Sequence, residues 1–269
     1  MAAMGFAFPM APLRAADVAT PLSSGPAKGS LVIIGGGLNT PDITNAAADL
    51  AGGRKAHWVV IPTASTDKEI QATPQLLAPP FIKKAGASFT VLHTRDRMIA
   101  DTESFVAPIL TATGVYFLGG RQWRLVDIYA GTRTEKLLPG VLDRGGVIMG
   151  TSAGASIQGS YLVRGAPEGN ETLMALGHER GFGYLTNVAV DQHVTTRHRE
   201  ADMAQVVAAH PGLLAIGIDE STAIIVKQNV FSVVGEGLVF ITDGKDHKGL
   251  PYYTLKSGMR FDLASWKQL

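Results

Sequence analysis

Ser152 stands in Gly150-Thr151-Ser152-Ala153-Gly154, after the apolar run Gly146-Val147-Ile148-Met149 and before a segment of helical length, Ala155 to Tyr161. A serine hydroxyl becomes a nucleophile when a neighbouring base takes its proton, and a sharp strand-to-helix turn between small residues is the setting that exposes it. The same turn would aim the amide of Ala153, at a helix N-terminus, toward a developing oxyanion. An inert Gly/Ser-rich turn is the plain alternative.

The base must come from elsewhere. Val190-Asp191-Gln192-His193 closes a short apolar run, which puts His193 at a strand end. A third segment, Gly217-Ile218-Asp219-Glu220-Ser221-Thr222-Ala223, sets two adjacent carboxylates between apolar runs. Buried carboxylates need partners, and a catalytic histidine needs an orienting acid. Asp219 and Glu220 both fit that role, against the alternative of a solvated turn.

The elements that would position these residues are legible as apolar runs. Leu31 to Ile34, Trp58 to Ile61, Phe89 to Leu92, Gly114 to Leu118 and Gly146 to Met149 are short and continuous, as in strands buried on both faces. Between them lie helix-length segments at 41–51, 68–85 (broken by prolines), 102–112 and 122–144. Strand and helix in alternation imply an α/β fold with a doubly wound, mostly parallel sheet. Beyond Gly181, close-spaced strands at 214–218, 223–226, 230–234 and 238–241 predict an antiparallel extension of that sheet or a small β layer.

Taken together, Gly150 to Ala155, Asp191-Gln192-His193 and Gly217 to Glu220 with Thr222-Ala223 resemble the cyanophycinase and dipeptidase E group of serine peptidases, peptidase family S51. Ile61-Pro62-Thr63-Ala64-Ser65 and Gly119-Gly120-Arg121-Gln122 support the match, which runs from about Ser30 to Thr242. The resemblance implies a three-layer sandwich like that of class I glutamine amidotransferases. It implies a triad of Ser152 as nucleophile, His193 as base and then acid, and Glu220 as orienter. It implies an oxyanion hole from the amides of Ala153 and of Gly119 or Gly120, and a homodimer.

The substrate implied is cyanophycin, a polyaspartate with arginine on each β-carboxylate, cleaved to β-Asp-Arg dipeptides. The resemblance assigns substrate contacts to Gln122, Asp191, Gln192, Arg197 and Arg199. Arginine suits a carboxylate, and Asp191 and Gln192 suit guanidinium or amide groups. Two positions depart from the family: Asp202 where cyanophycinases carry a further arginine, and Arg121 where an acid is common. Other β-aspartyl or short acidic peptides therefore stand as alternative substrates.

Competing chemistries fit less well. An α/β-hydrolase esterase shares the elbow, but its triad runs serine, acid, histidine; here His193 precedes Glu220, and only His210 or His247 would restore that order. A non-catalytic binding protein on the same scaffold would not need all three residues. Gly35-Gly36-Gly37-Leu38-Asn39-Thr40 has Thr40 where a dinucleotide fingerprint needs its third glycine, and no Lys-Ser/Thr pair follows, so it reads as a strand-to-helix turn. His193 and His198 are not at the spacing of a two-histidine zinc helix, and His178-Glu179 lacks support, so neither metal nor cofactor is expected. Arg124, Asp127 and Tyr129, at helical spacing, read as structural or interface residues.

The bulk properties set outer limits. The 269 residues carry 24 basic and 23 acidic side chains, without a long basic run, which disfavours nucleic acid as a partner. The absence of cysteine excludes disulfides and a thiolate nucleophile. No apolar stretch reaches membrane-spanning length. Residues 1–29 form a leader or linker ahead of a single catalytic domain over 30–269. Met1 to Leu13 is apolar and looks like the back half of a signal peptide without its basic start. That reading makes an exported or periplasmic location the expectation over a cytoplasmic one; a disordered Ala/Pro-rich leader is the alternative.

Overall fold

The structure, a computed structural model, describes residues 23–37, 40–73 and 77–269. The apolar runs form the centre of a nine-stranded sheet. Its parallel half comprises β1 (Ser30–Ile34), β2 (His57–Ile61), β3 (Ser88–Val91), β4 (Gly114–Phe117) and β5 (Val147–Thr151). In space they run β1-β5-β4-β2-β3. Interior strands alternate their side chains between two cores. Leu31, Ile33, Val59, Ile61, Val115 and Phe117 face one, while Val32, Ile34, Trp58, Val60 and Tyr116 face the other. Both faces are thus covered, as the doubly wound reading requires.

The core around Leu31, Ile33 and Phe117 lies against short helices. The long segment expected over 122–144 is three of them: α6 (Gln122–Tyr129), α7 (Arg133–Leu137) and α8 (Pro139–Asp143). Gly131, at positive φ, ends the first, and Pro139, which has no N–H to donate, begins the third. The opposite face carries α1 (Pro41–Ala51), the stretch expected from sequence, closed by Gly52 in the left-handed region. The proline-broken segment divides into α2 (Asp67–Ala72), which opens on a Thr66–Glu69 capping box, and α3 (Pro80–Lys84). The segment at 102–112 is α5 (Glu103–Val106) and a 3₁₀ turn, preceded by α4 (Arg97–Ala100).

The strands after Gly181 do not stay together. A second, five-stranded sheet holds β6 (Gly159–Tyr161), β7 (Leu185–Gln192), β8 (Leu214–Ile218), β11 (Leu238–Thr242) and β12 (Tyr253–Lys256). Meanwhile β9 (Thr222–Lys227) and β10 (Val230–Gly235) return to the first sheet, β9 antiparallel to β1 and β10 antiparallel to β9, and β13 (Arg260–Asp262) and β14 (Lys267–Gln268) complete its edge. Both sequence expectations are therefore met in part: one pair of strands extends the sheet and the other builds a new layer. Two helices remain. α9 (Ala153–Ser156) follows β5, and α10 (Met203–Ala209) packs Met203, Val206 and Val207 on the outer face of the second sheet.

The expected leader lies outside the described residues up to position 22. Of the remainder, Ser24 bridges Thr186 beside β7, and Ser23 Oγ donates to Asn187 O while accepting from Trp266 Nε1. The stretch expected as linker thus ties the two sheets together at its start.

Phe231 joins the antiparallel half to the core: it is fully buried and stacks on Phe261 at 5.1 Å between centroids. Phe231→Ala is expected to cost about 3–5 kcal/mol. Urea unfolding should show a lower midpoint with an unchanged slope.

Candidate active site

Ser152 is held in an unusual backbone conformation, φ 55 and ψ −114, between β5 and α9. Such a conformation is costly for a residue with a Cβ and persists only where the surroundings fix it. Here the Ser152 N–H donates to Ile34 O at 3.0 Å, and its carbonyl accepts from Ala155 and Ser156. Close packing explains the small flanking residues: a methyl on Gly150 would come 1.9 Å from Gly154 O.

The other two segments arrive at the same strand end. His193, the residue after β7, has φ 53 and donates its N–H to Gly35 O at 2.8 Å. Ser221, also at positive φ, donates its N–H to Gly36 O at 2.9 Å, which sets Glu220 beside the glycine turn. The side chains then meet in line. His193 Nε2 lies 2.8 Å from Ser152 Oγ, and His193 Nδ1 lies 2.5 Å from Glu220 Oε1. The imidazole rests so closely on the glycine turn that a methyl on Gly36 would fall 2.1 Å from its Cε1.

Asp219 does different work. Its Oδ1 accepts from Thr195 N and its Oδ2 from Leu238 N, so it pins the crossover between the two sheets and leaves the histidine to Glu220. His247 pairs with Asp243, and His210 packs on Tyr161; neither lines the cleft around Ser152. His178 bonds Asp127, and Glu179 accepts from Tyr161. Arg124 donates to Ala64 O, and Tyr129 bonds Thr63. Among the described residues no group of three or more His, Asp or Glu is arranged to hold a metal ion.

Burial holds the His193 imidazole below the usual histidine range, and the cations Arg197 and Arg199 act the same way; the hydrogen bond that His193 donates to Glu220 opposes them. The neutral ring is the form that can take a proton from Ser152. An acid in this position can anchor the ring and serve as counter-charge to an imidazolium.

An open cleft of about 490 Å³ leads to Ser152, lined in part by Ser65, Glu69, Tyr116 and Gly119. Ser65 Oγ donates to Gly119 O at 2.8 Å, which fixes the Gly119–Gly120 peptide plane. Among the described residues the amides of Gly119, Gly120 and Ala153 donate no hydrogen bond. Three unsatisfied donors at the mouth of a nucleophile elbow are what an oxyanion site requires.

The residues expected to touch substrate divide into two groups. Asp191, Arg199 and Gln122, expected as substrate contacts, are turned inward here. Asp191 is fully buried and takes both Nε and Nη2 of Arg164, at 2.9–3.1 Å. Arg199 Nη1 donates to Gln192 O and lies 3.6 Å from Asp191. Gln122 Nε2 donates to Val163 O. A carboxylate buried without a cation would be prohibitively costly, and this cluster supplies it inside the fold. Asp202 joins it, accepting from Arg164 Nη2 at 2.6 Å, and Arg121 donates to Ala166 O. By contrast Arg197 is exposed, and Gln192 Oε1 is buried with no partner among the described residues.

Arg164 and Glu69 were not singled out by the sequence, and Gly36 and Ser65 entered only as members of a turn and of a supporting motif. A signal for Arg164 existed: Asp191 sits in an apolar strand and demands a cation. Nothing in the sequence says which of 24 basic residues provides it.

The sequence model of peptidase family S51 matches residues 31–234. A cyanophycinase of Geminocystis herdmanii (strain PCC 6308) is 31% identical over 224 residues, covering 81% of this chain and 82% of that protein. A cyanophycinase of Nostoc sp. (strain PCC 7120 / SAG 25.82 / UTEX 2576) is 30% identical over 244 residues, 87% of this chain and 79% of that one. Among solved structures, a peptidase from an acI-B1 Actinobacterium superposes with a TM-score of 0.69 at 26% identity, over 88% of this chain and 98% of that one.

Two outcomes are expected from this geometry. Because the base is neutral His193 with a lowered pKa, kcat/KM should be flat at neutral pH and fall tenfold per unit only below about 6.5, the ordinary histidine value. Arg197→Ala removes a cation that disfavours the imidazolium, so the acid limb should move to higher pH; a pH–rate profile measures both. Gly36→Ala should leave the chain folded by circular dichroism yet lower kcat on the order of 10²-fold or more, because the added methyl displaces the imidazole.

Proposed function

This chain belongs to peptidase family S51 and is a serine-type peptidase, and on that premise we propose that it hydrolyses cyanophycin to β-Asp-Arg dipeptides through a Ser152–His193–Glu220 acyl-enzyme mechanism. The observation that carries the mechanism is the unbroken relay from Ser152 Oγ through His193 to Glu220. The substrate rests on the relatives, which are named cyanophycinases over most of their length.

In the proposed reaction Ser152 Oγ attacks the scissile carbonyl carbon while its proton passes to His193 Nε2. The amides of Ala153 and of the Gly119–Gly120 segment receive the oxyanion. As the C–N bond breaks, His193 returns the proton to the leaving amine, and an ester to Ser152 remains. Water then attacks that ester, giving a proton to His193. Collapse releases the carboxylate product and reprotonates Ser152 Oγ. Glu220 keeps the Nδ1–H directed away from the reaction throughout.

Arg197 and the unpartnered Gln192 Oε1 are the sequence-predicted residues whose placement suits substrate contact. A second reading, hydrolysis of other β-aspartyl or short acidic peptides, draws support from the inward pairing of Asp191, Arg199 and Asp202. The esterase reading loses support from the placement of His210 and His247 away from Ser152.

Incubating wild type and Ser152→Ala with insoluble cyanophycin separates these readings. Wild type should release β-Asp-Arg, seen by mass analysis of the soluble fraction, and Ser152→Ala should lose on the order of 10⁶ in kcat. Absence of product from a wild type that still labels with a fluorophosphonate at Ser152 would retain the mechanism and replace the substrate. Glu220→Gln should cost about 10³–10⁴ in kcat, whereas Asp219→Asn should mainly lower the melting temperature; the reverse pattern would exchange their roles.

A further inference from the structure

Besides the phenol of Tyr116, two ionisable side chains line the described wall of the catalytic cleft: His193 and Glu69, the one carboxylate. His193 is committed to Ser152. Glu69 lies on the exposed face of α2 and is the one acidic group, with no lysine or arginine beside it in the lining. Its conformation is fixed locally. Oε2 accepts from Thr66 N at 2.7 Å and from Thr66 Oγ1 at 2.8 Å, and those bonds hold the carboxyl below the ordinary glutamate range. Among the described residues Oε1 accepts no hydrogen bond and Glu69 makes no ion pair. The nearby Arg124 donates instead to Ala64 O and lies over the Trp123 ring.

We propose that Glu69 is a specificity-determining residue that receives a cationic group of the substrate, a guanidinium in first place, at the wall of the catalytic cleft. The proposal deepens the cyanophycin reading and rests on the assignment of this cleft to that chemistry. An ionised carboxylate already locked by its capping box loses little freedom on binding, and a guanidinium offers it two parallel N–H groups. Ser65, on the same wall, uses its hydroxyl proton on Gly119 O and keeps lone pairs for a further N–H. The same charge repels a carboxylate at this point of the substrate, so the wall discriminates by sign as well as by fit.

The test reads ligand charge through protection of Ser152, separately from turnover. Wild type, Glu69→Gln and Thr66→Ala are labelled with a fluorophosphonate in the presence of β-aspartyl-arginine or of β-aspartyl-citrulline, which keeps the shape and removes the charge. The arginine dipeptide should protect wild type at a concentration about tenfold lower than the citrulline dipeptide. Glu69→Gln should erase that difference while keeping its labelling rate without ligand and its circular dichroism melt. Thr66→Ala, which weakens the cap but keeps the charge, should retain the difference. Equal protection by both dipeptides in wild type, or an undiminished difference in Glu69→Gln, overturns the proposal. Release of dipeptide from cyanophycin by the same preparations reads the substrate assignment on its own. A negative polymer assay with charge-dependent protection leaves Glu69 in place, and a positive one without it removes Glu69 alone.

Discussion

Three consecutive carbonyls at the end of the central strand hold the Ser152–His193–Glu220 relay together. Ile34 O accepts the N–H of Ser152, Gly35 O that of His193, and Gly36 O that of Ser221, next to Glu220. Each member of the relay comes from a different part of the chain, and each meets the same short run of backbone. Peptide spacing is fixed by covalent geometry, so neighbouring acceptors set the separation of the three segments more tightly than side-chain packing could. The glycines at 35–37 follow from this. The imidazole sits against the Gly36 backbone, in space that a Cβ would fill.

The same arrangement accounts for the backbone strain. Ser152, His193 and Ser221 all have positive φ without being glycine. Ser152 and His193 directly follow a strand and Ser221 directly precedes one, and each turns sharply while its N–H remains bonded to the end of β1 or the turn after it. The surrounding sheet supplies the compensation: β1 is hydrogen-bonded on both sides, to β5 and to β9, and all its residues are buried. A nucleophile presented in a strained turn is held ready for attack, with little reorganisation left for the reaction itself.

Local sterics and apolar patterning made much of this legible. The Gly-x-Ser-x-Gly turn is a statement about the space around one residue, and the five central strands follow from continuous apolar runs. The division of 214–241 between two sheets was not legible. β8, β9, β10 and β11 have similar composition, and what separates them is a pair of crossovers held by Asp219 through Thr195 and Leu238. Long-range charge pairing was equally hidden. Arg164 and Asp191 are 27 positions apart, and nothing in the sequence pairs them. Only the fold reveals that each is the other's counter-ion. Asp191, Arg199 and Gln122, sensible as ligand groups by type, also have partners in the interior.

On the proposed reading, catalysis and recognition rest on different materials in this molecule. The Ser152–His193–Glu220 relay is fixed by main-chain hydrogen bonds at the ends of buried strands. The side chains proposed to meet a substrate stand on a short helix and a turn at the rim: Glu69 on α2, and Arg197 in the turn after His193. Asp202, just before α10, reaches Arg164 and so alters the charge near the site without touching the relay. Changes of this second kind leave the strand-end geometry around Ser152 intact. On the proposed reading the strand-end scaffold would fix the reaction, and the sign and position of a few rim charges would decide what it acts on.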